Sequence, residues 1–401
     1  MIRKTFTRTM LSEFSRGIHR TCPDLAMVVL KNIFHAPDIV LGIISTFPFI
    51  GFASTLFFVP LADNYGRRIH WISGLELFSR ICLLALFFQD DLLLFSLFMA
   101  FSIGANSLAV PLLTGVWGNN FPAEKRGRLV SWLAMISMTG SIIGSYVFGS
   151  FLKTAPDSYS MIFFIFGIVG IMATIIFSKV PSERAINGGS RKFRQSLLDN
   201  VKILIEDRLF LSILIIWFLV GFSNLWLIPV RIIYLMDAEY GVQLQPNLVL
   251  LMTVIIPMAA QYAGLFVAGK LIDHINFGWY RIVTQTILSV GCIAFFITKN
   301  LWVIGFGSAL LGFALGFGGL SWGIYVTFIA PPEKIQAYMS LHTTFCGIRG
   351  ILGPIVSVLM LGFGFSPLTL AFISFTLITF ASVGMFRLVD ELGTRQAMYH
   401  Q

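Results

Sequence analysis

Runs of about twenty apolar residues recur from one end of the chain to the other, and they limit what it can fold into. At a rise of about 1.5 Å per residue, such a run crosses a hydrocarbon core ~30 Å thick as a helix. No water satisfies the backbone inside a bilayer, so a spanning segment is a helix or a strand of a closed barrel. Barrel strands alternate polar and apolar side chains, and these runs do not. They stand at residues 39–60, 71–89, 92–117, 130–152, 160–179, 209–235, 248–269, 281–298, 301–329, 337–361 and 367–387. Charged residues make up 12% of the chain, against 56% hydrophobic and 14% aromatic. A soluble domain carries roughly 25% charged residues, so a water-facing surface could not be coated. The expected class is an all-α polytopic membrane protein embedded in a lipid bilayer, placed in the cell (inner) membrane.

The net charge of +9 points to topology rather than to a nucleic-acid partner, because basic residues of membrane proteins gather in cytoplasmic loops. Over alternate loops, seventeen Lys and Arg fall on one side, at 61–70, 119–129, 179–208, 270–281, 330–336 and the C-terminal tail. Three fall opposite: Lys153, Arg231 and Lys299. The richer side is assigned to the cytoplasm, C-terminus included. Cys22, Cys82, Cys292 and Cys346 have no metal-ligand spacing and read as packing residues. The sequence contains no H-E-x-x-H, no G-x-S-x-G and no clustered intramembrane carboxylates, so neither an enzyme nor a cofactor or metal is expected. "GLFVAGKL" (264–271) has the outline of a phosphate-binding loop. It ends in Leu271 where that loop needs Ser or Thr, and no strand precedes it.

An internal repeat divides the chain. "FPAEKRGRLVSWLAMISMTGSIIGS" (121–145) matches "APPEKIQAYMSLHTTFCGIRGILGP" (330–354), sharing Pro122/Pro331, Glu124/Glu333, Lys125/Lys334, Ser131/Ser340 and Gly144/Gly353. In the same frame, span 39–60 falls on 248–269. Two similar halves of six spans form a transporter pattern. The frame assigns residues 1–178 to an N-terminal half, 179–208 to a cytoplasmic linker, 209–390 to a C-terminal half and 391–401 to a cytoplasmic tail. It also requires a first span near residues 1–26. There Arg3, Lys4, Arg8, Glu13, Arg16, His19 and Arg20 make insertion costly. Either the first span is shortened and polar, or the natural chain begins further upstream. A degenerate first span is adopted, because eleven spans would put the basic N-terminus outside.

The turn "VPLADNYGRR" carries Asp63, Gly66, Arg67 and Arg68 within six positions. It resembles the G-x-L-x-D-R-x-G-R-R signature between the second and third spans of the major facilitator superfamily, with Val59 for the first Gly and Asn64 after the Asp. A second copy, "GKLIDHINFGWYR" (269–281), keeps Gly269 and Asp273 and delays the Gly and Arg to Gly278 and Arg281. The resemblance covers nearly the whole chain beyond residue 25 and is nearest to a bacterial branch. It implies the major facilitator fold, two pseudo-symmetric six-helix halves that alternate access to a central site. A carboxylate where a helix leaves the bilayer can cap a neighbouring helix or pair with Arg. Asp63, Gly66, Arg67, Arg68, Gly269 and Asp273 therefore read as a conformational latch, with a purely topological role for the arginines as the alternative. Met99 stands where proton-coupled drug exporters of the family carry an Arg, about twelve residues before Pro111. "GSIIGSYVFG" (140–149) has Ser145 and Phe148 for their Pro and Gly. Drug–proton antiport is therefore not implied. Gly140, Gly144 and Gly149 read instead as close helix packing.

Polar residues inside spans are costly and face a cavity or a partner. Glu76 and Arg80, one turn apart, read as a structural ion pair. Arg349 lies mid-span, with His342 two turns away on the same face and Gly347 and Gly350 beside it. Glu76 is the only carboxylate in the clear spans, so Arg349 lacks an obvious counter-ion unless Glu13 or Asp24 reaches it. Arg349 then holds a solute anion, or locks onto helix carbonyls. Arg349, His342, Gln261, Asn224, Asn106, Trp322 and Tyr325 form the candidate substrate-binding set. Histidine titrates near neutrality, so His342 is the carrier if a proton or ion gradient drives the cycle. The expected function is secondary active transport of a small solute, anionic by the Arg349 reading, by a monomer. The rivals are a non-transporting receptor or scaffold that kept the fold, and a lipid or amphiphile flippase.

Overall fold

The computed structural model describes residues 2–64, 66–121, 123–181, 202–272, 274–331 and 334–399, and among them there is no strand. The chain forms two compact units, residues 1–193 with 243–255, and residues 194–242 with 256–401. The first holds α1 (Ile2–Arg20), α2 (Cys22–Asn32), α3 (Asp38–Ile44), α4 (Ile50–Ala53), α5 (Thr55–Asn64), α6 (Arg68–Ala85), α7 (Leu92–Asn120), α8 (Ala123–Thr154) and α9 (Tyr159–Ser178). The second holds α10 (Arg208–Leu225) and α11 (Leu227–Met236). After α12 (Pro246–Leu250), which belongs to the first unit, the second continues with α13 (Ile256–Leu271), α14 (Phe277–Phe296), α15 (Leu301–Ile324), α16 (Val326–Ile329), α17 (Ile335–Gly362), α18 (Pro367–Arg387) and α19 (Val389–Tyr399).

Both units pack by one scheme. In the first, α1 packs on α8 and α9, and α6 on α7 and α9; in the second, α10 packs on α17 and α18, and α14 on α15 and α18. The register agrees to within one residue. Gly144 faces Ile18 of the first unit's opening segment, and Gly353, its repeat partner, faces Phe222 and Trp226 of the second unit's. Spans 130–152 and 337–361 thus occupy equivalent places. Gly140 lies so close to the Phe14 carbonyl that a Cβ would overlap it, while Gly149 faces Asn247 and Leu250.

Ten helical stretches of the described residues are long and apolar enough to cross a membrane. The run 39–60 is not continuous, as expected from its hydropathy, but broken into α3, a 3-10 turn at Phe47–Phe49, α4 and α5. Pro48 donates no hydrogen bond, and the Ser45, Thr46 and Ser54 hydroxyls cap the carbonyls of Gly42, Ile43 and Gly51 at 2.7, 2.7 and 3.1 Å, competing with the helix ladder. The equivalent run in the other repeat carries a π-helical turn at Leu251–Ile255, just ahead of Pro257.

The polar first segment folds as α1 and α2, hinged at Thr21 because Pro23 cannot donate into the ladder. The face of α1 that bears Thr5, Thr9, Ser12, Glu13, Arg16 and His19 is buried. Small residues let α8 approach it. A Cβ on Gly17 would overlap the Ser137 carbonyl, and the Ser141 hydroxyl donates to the Gly17 carbonyl at 2.7 Å. The charges balance locally. Arg16 bonds Glu13 at 2.7 Å and Glu76 at 2.5 Å, with its guanidinium 3.9 Å from the Phe177 ring centre.

The stretch read as a tail is a docked helix. Leu392 of α19 is fully buried, the Asn276 amide donates to the Val389 carbonyl at 3.2 Å, and Arg395 reaches Asp207 at 2.8 Å. Asp207 caps α10 by accepting from the Phe210 amide at 3.0 Å, and it also accepts from the Tyr338 hydroxyl at 2.8 Å.

Candidate solute-binding site

In the second unit, α10, α14, α15 and α17 line a half-open cavity of about 210 Å³. Two arginines supply its charge. Arg349 donates through Nη1 to the Trp217 carbonyl and through Nη2 to the Cys346 sulfur at 3.2 Å. Its position depends on Gly221, where a Cβ would overlap the guanidinium. Arg281 is 5% exposed, on the second turn of α14. It donates from Nη1 to the Ser321 hydroxyl at 3.1 Å, and its guanidinium lies 4.0 Å from the Trp217 ring centre. The Nε of each arginine is buried with no hydrogen-bond partner among the described residues.

An aromatic layer mounts this pair. Trp217 stacks on Tyr325 with centroids 4.9 Å apart and planes 24° from parallel. The indole thus carries both a stacked ring and a guanidinium. His342 sits edge-on to Trp217 at 4.8 Å and to Tyr325 at 4.9 Å. Cys346 lies between His342 and Arg349, 3.5 Å from His342 Nε2, and accepts from Trp322 Nε1 at 3.3 Å.

Among the described residues no carboxylate lines this cavity, and no ion pair engages Arg281 or Arg349. Buried charge is stable only when paired or hydrogen-bonded. The site is therefore positive, partly satisfied, and chemically suited to an anion.

The sequence-derived candidates divide. Arg349, Asn224 and Trp322 line the cavity, while His342 and Tyr325 pack on Trp217 beside it. Gln261 lies on α13, off the lining, with its carbonyl against Gly316. Asn106 belongs to the first unit, where it accepts from Arg80 at 3.3 Å. Glu13 is bonded to Arg16, and Glu76 pairs with that same Arg16 rather than with Arg80 as expected. Arg80 donates instead to Ser79 and Asn106, and Ser79 meets His19 Nε2 at 2.9 Å.

Arg281 lies outside the expected set because hydropathy places it with the cytoplasmic loop; the helix begins at Phe277, four residues earlier than hydropathy indicates. The usable signal was the spacing Arg281, Thr284, Gln285 and Ser289, a polar stripe at helical intervals, every member of which is buried. Arg231, counted in a loop, likewise lies within α11. At the expected latch, Gly66 has φ +155°, a conformation open to glycine. Arg67 is extended and exposed, and Arg68 opens α6. The Asp63 side chain and Asp273 lie outside the described residues. Gly269 has open space around it.

Comparison with known proteins places this architecture. The sequence matches the Major Facilitator Superfamily over residues 9–354. A Saccharomyces cerevisiae chain described as "Probable metabolite transport protein" is 29% identical over 162 residues, covering 40% of this chain and 28% of the yeast protein, so the match spans little more than a quarter of that relative. Among solved structures, the inward-open xylose transporter XylE from E. coli superposes with TM-score 0.72 at 14% identity, over 97% of this chain and 96% of its own. A bacterial homologue of the human lysosomal transporter Spinster, inward-facing and unoccupied, gives 0.67 at 15%, over 99% and 97%. The nucleoside transporter NupG gives 0.72 at 11%, over 96% and 98%. At these identities the likeness is one of fold. Matched along most of its sequence and folded as two repeated helical units, the chain belongs to the major facilitator superfamily.

Proposed function

We propose that the protein is a secondary active transporter that carries a small anionic solute across the membrane by alternating access, with Arg281 and Arg349 as the counter-charges. The observation that supports this most is a pair of guanidiniums on one cavity, Arg281 buried and Arg349 partly buried, with no carboxylate among the described residues of its lining. An anion there would meet two guanidiniums whose hydrogen-bond partners are all neutral, and charge-assisted bonds of this kind are among the stronger ones available to a binding site. Asn224 and Trp322 would contact the rest of the solute. His342, held edge-on between Trp217 and Tyr325, is the proposed proton carrier. The excess of basic residues in one set of loops supports a cell-membrane orientation with α19 in the cytoplasm. The turn around Asp63, Gly66 and Arg67 is the proposed latch between states.

Proteoliposome uptake tests the reading. Purified protein should accumulate at least one labelled carboxylate or phosphate from a mixed panel in preference to neutral sugars. Arg281→Ala and Arg349→Ala should abolish that uptake while still inserting. Preferential uptake of a neutral sugar, unaffected by either substitution, would refute it.

A further inference from the structure

We infer that the solute is a small aromatic monocarboxylate, a flat apolar ring carrying one anionic group. This rests on the anionic reading above and narrows it. Away from the two arginines the wall is built from Val220, Leu225, Leu288, Ala314 and Leu315. Few polar side chains remain to meet a hydroxylated solute. The Thr284 hydroxyl donates to the Tyr280 carbonyl at 2.8 Å. The Ser321 hydroxyl, next to the cavity, donates to the Gly318 carbonyl at 2.7 Å and accepts from Arg281. Asn224 is the one amide among the described residues of the lining. A polyol would bury several hydroxyls here without partners, which is unfavourable for each of them. The body of the solute is therefore apolar.

The flatness comes from α15. Gly318 and Gly319 put two consecutive residues without side chains on the cavity wall. At Gly318 a Cβ would crowd Thr284 at 2.8 Å and Arg281 at 3.2 Å, so this glycine makes room for the arginine. At Gly319 a Cβ would meet nothing within 4 Å, so that space is left open by the fold. Trp322 stands one turn further along α15, on the same face as Gly318 and Gly319. A ring placed over the bare backbone lies beside the indole, within reach of the offset or edge-on contact that aromatic pairs prefer, with its carboxylate toward the guanidiniums. Size agrees with this. A closed apolar cavity of about 150 Å³ accepts benzene, and this half-open one, at about 210 Å³, has room for one ring and a short acidic arm.

The test is calorimetric titration of the full-length protein in nanodiscs with five probes: 3-phenylpropionate, 3-cyclohexylpropionate, lactate, acetate and the neutral 3-phenylpropanamide. The expected result is affinity for 3-phenylpropionate at least about tenfold above cyclohexylpropionate and lactate. The amide should bind at least about a hundredfold more weakly than the acid. Gly319→Leu, which fills the open space, should cost 3-phenylpropionate about tenfold or more while acetate binding persists. Cyclohexylpropionate or lactate binding as well as phenylpropionate would overturn the aromatic inference and leave the anionic reading standing. Amide and acid binding equally would overturn the anionic reading itself, and binding of none of the four anions would overturn both.

Discussion

Replacing Glu76 by Met should destabilise the first unit, and pairing that change with Arg16→Met should restore much of the loss. Glu76 is 1% exposed and bonds Arg16, itself 7% exposed, at 2.5 Å. Glu76 also accepts from Thr174 at 3.4 Å. Arg16 already has one terminal nitrogen, Nη2, without a partner among the described residues. Removing one member of a buried pair costs about 3–5 kcal/mol, because the other charge is left uncompensated. Glu13 stays on Arg16 at 2.7 Å, which places the loss near the lower bound, about 3 kcal/mol. For a unit of this size each kcal/mol shifts the melting temperature by about 2–4 °C, so Glu76→Met should melt roughly 6–12 °C lower. In Arg16→Met/Glu76→Met the stranded cation is gone. Apolar replacement of a whole buried pair is often neutral or stabilising, so the double variant should melt above the single one. A thiol-reactive dye suits the assay, because Cys22 and Cys82 are buried and react only on unfolding. A single variant within about 2 °C of wild type, or additive losses in the double, would show that Glu76 and Arg16 do not form one buried unit.

Acid should release α19. Burial pushes the Asp207 carboxyl up, but the Phe210 amide, the Tyr338 hydroxyl and Arg395 outweigh it and hold the group below its ordinary value. Its contribution is therefore present above the unfolded value of about 3.9 and is lost as pH falls below that toward the lower folded value. Hydrogen exchange across residues 389–399 should rise in that window and be raised already at neutral pH in Asp207→Ala; equal protection in both proteins at pH 7 would refute the clip. Gly221→Leu should displace the Arg349 guanidinium and lower solute affinity about tenfold or more, and unchanged titration would show that Arg349 does not depend on that glycine. His342→Gln should keep solute binding yet lose stimulation of uptake by an inward proton gradient, whereas wild-type uptake indifferent to the gradient would remove His342 as a carrier.

How far the sequence could be read depended on whether a residue acts alone. The spans and the repeat were legible because hydropathy sums single-residue terms and Gly144/Gly353 keep their spacing. The first segment was judged costly by the same sum. That sum cannot see that the cost of Arg16 is offset by Glu13 three residues earlier and by Glu76 sixty residues later. The break in 39–60 was partly visible in Pro48. The hydroxyls that take over its carbonyls needed the backbone to be seen. Arg281 was obscured because positive-inside counting treats any arginine near a loop as topological. Asn106 and Gln261 were grouped with Arg349 by the polarity of their spans, and polarity does not say which unit, or which face of a helix, a side chain serves.

The two units share one packing scheme but treat their arginines differently. In the first, two carboxylates, Glu13 and Glu76, stand with two arginines, Arg16 and Arg80, so the polar cluster is balanced in charge although Arg80 itself bonds the neutral Ser79 and Asn106. In the second, Arg281 and Arg349 stand on one cavity and bond only neutral groups: a hydroxyl, a sulfur, a carbonyl and an indole face. Neutral acceptors satisfy part of the hydrogen-bonding capacity of a guanidinium and none of its charge. Trp217 couples the two, because its carbonyl takes Arg349 while its ring takes Arg281. A carboxylate that neutralises one guanidinium therefore acts on the seating of the other through the same residue. On the proposed reading, the unmatched charge makes the empty site unfavourable, and a solute anion would relieve that cost only in a conformation that brings it to both arginines. Differential stabilisation of this kind is what a ligand needs in order to shift a two-state equilibrium, and in the proposed transport cycle it would make the loaded carrier favour a different state from the empty one.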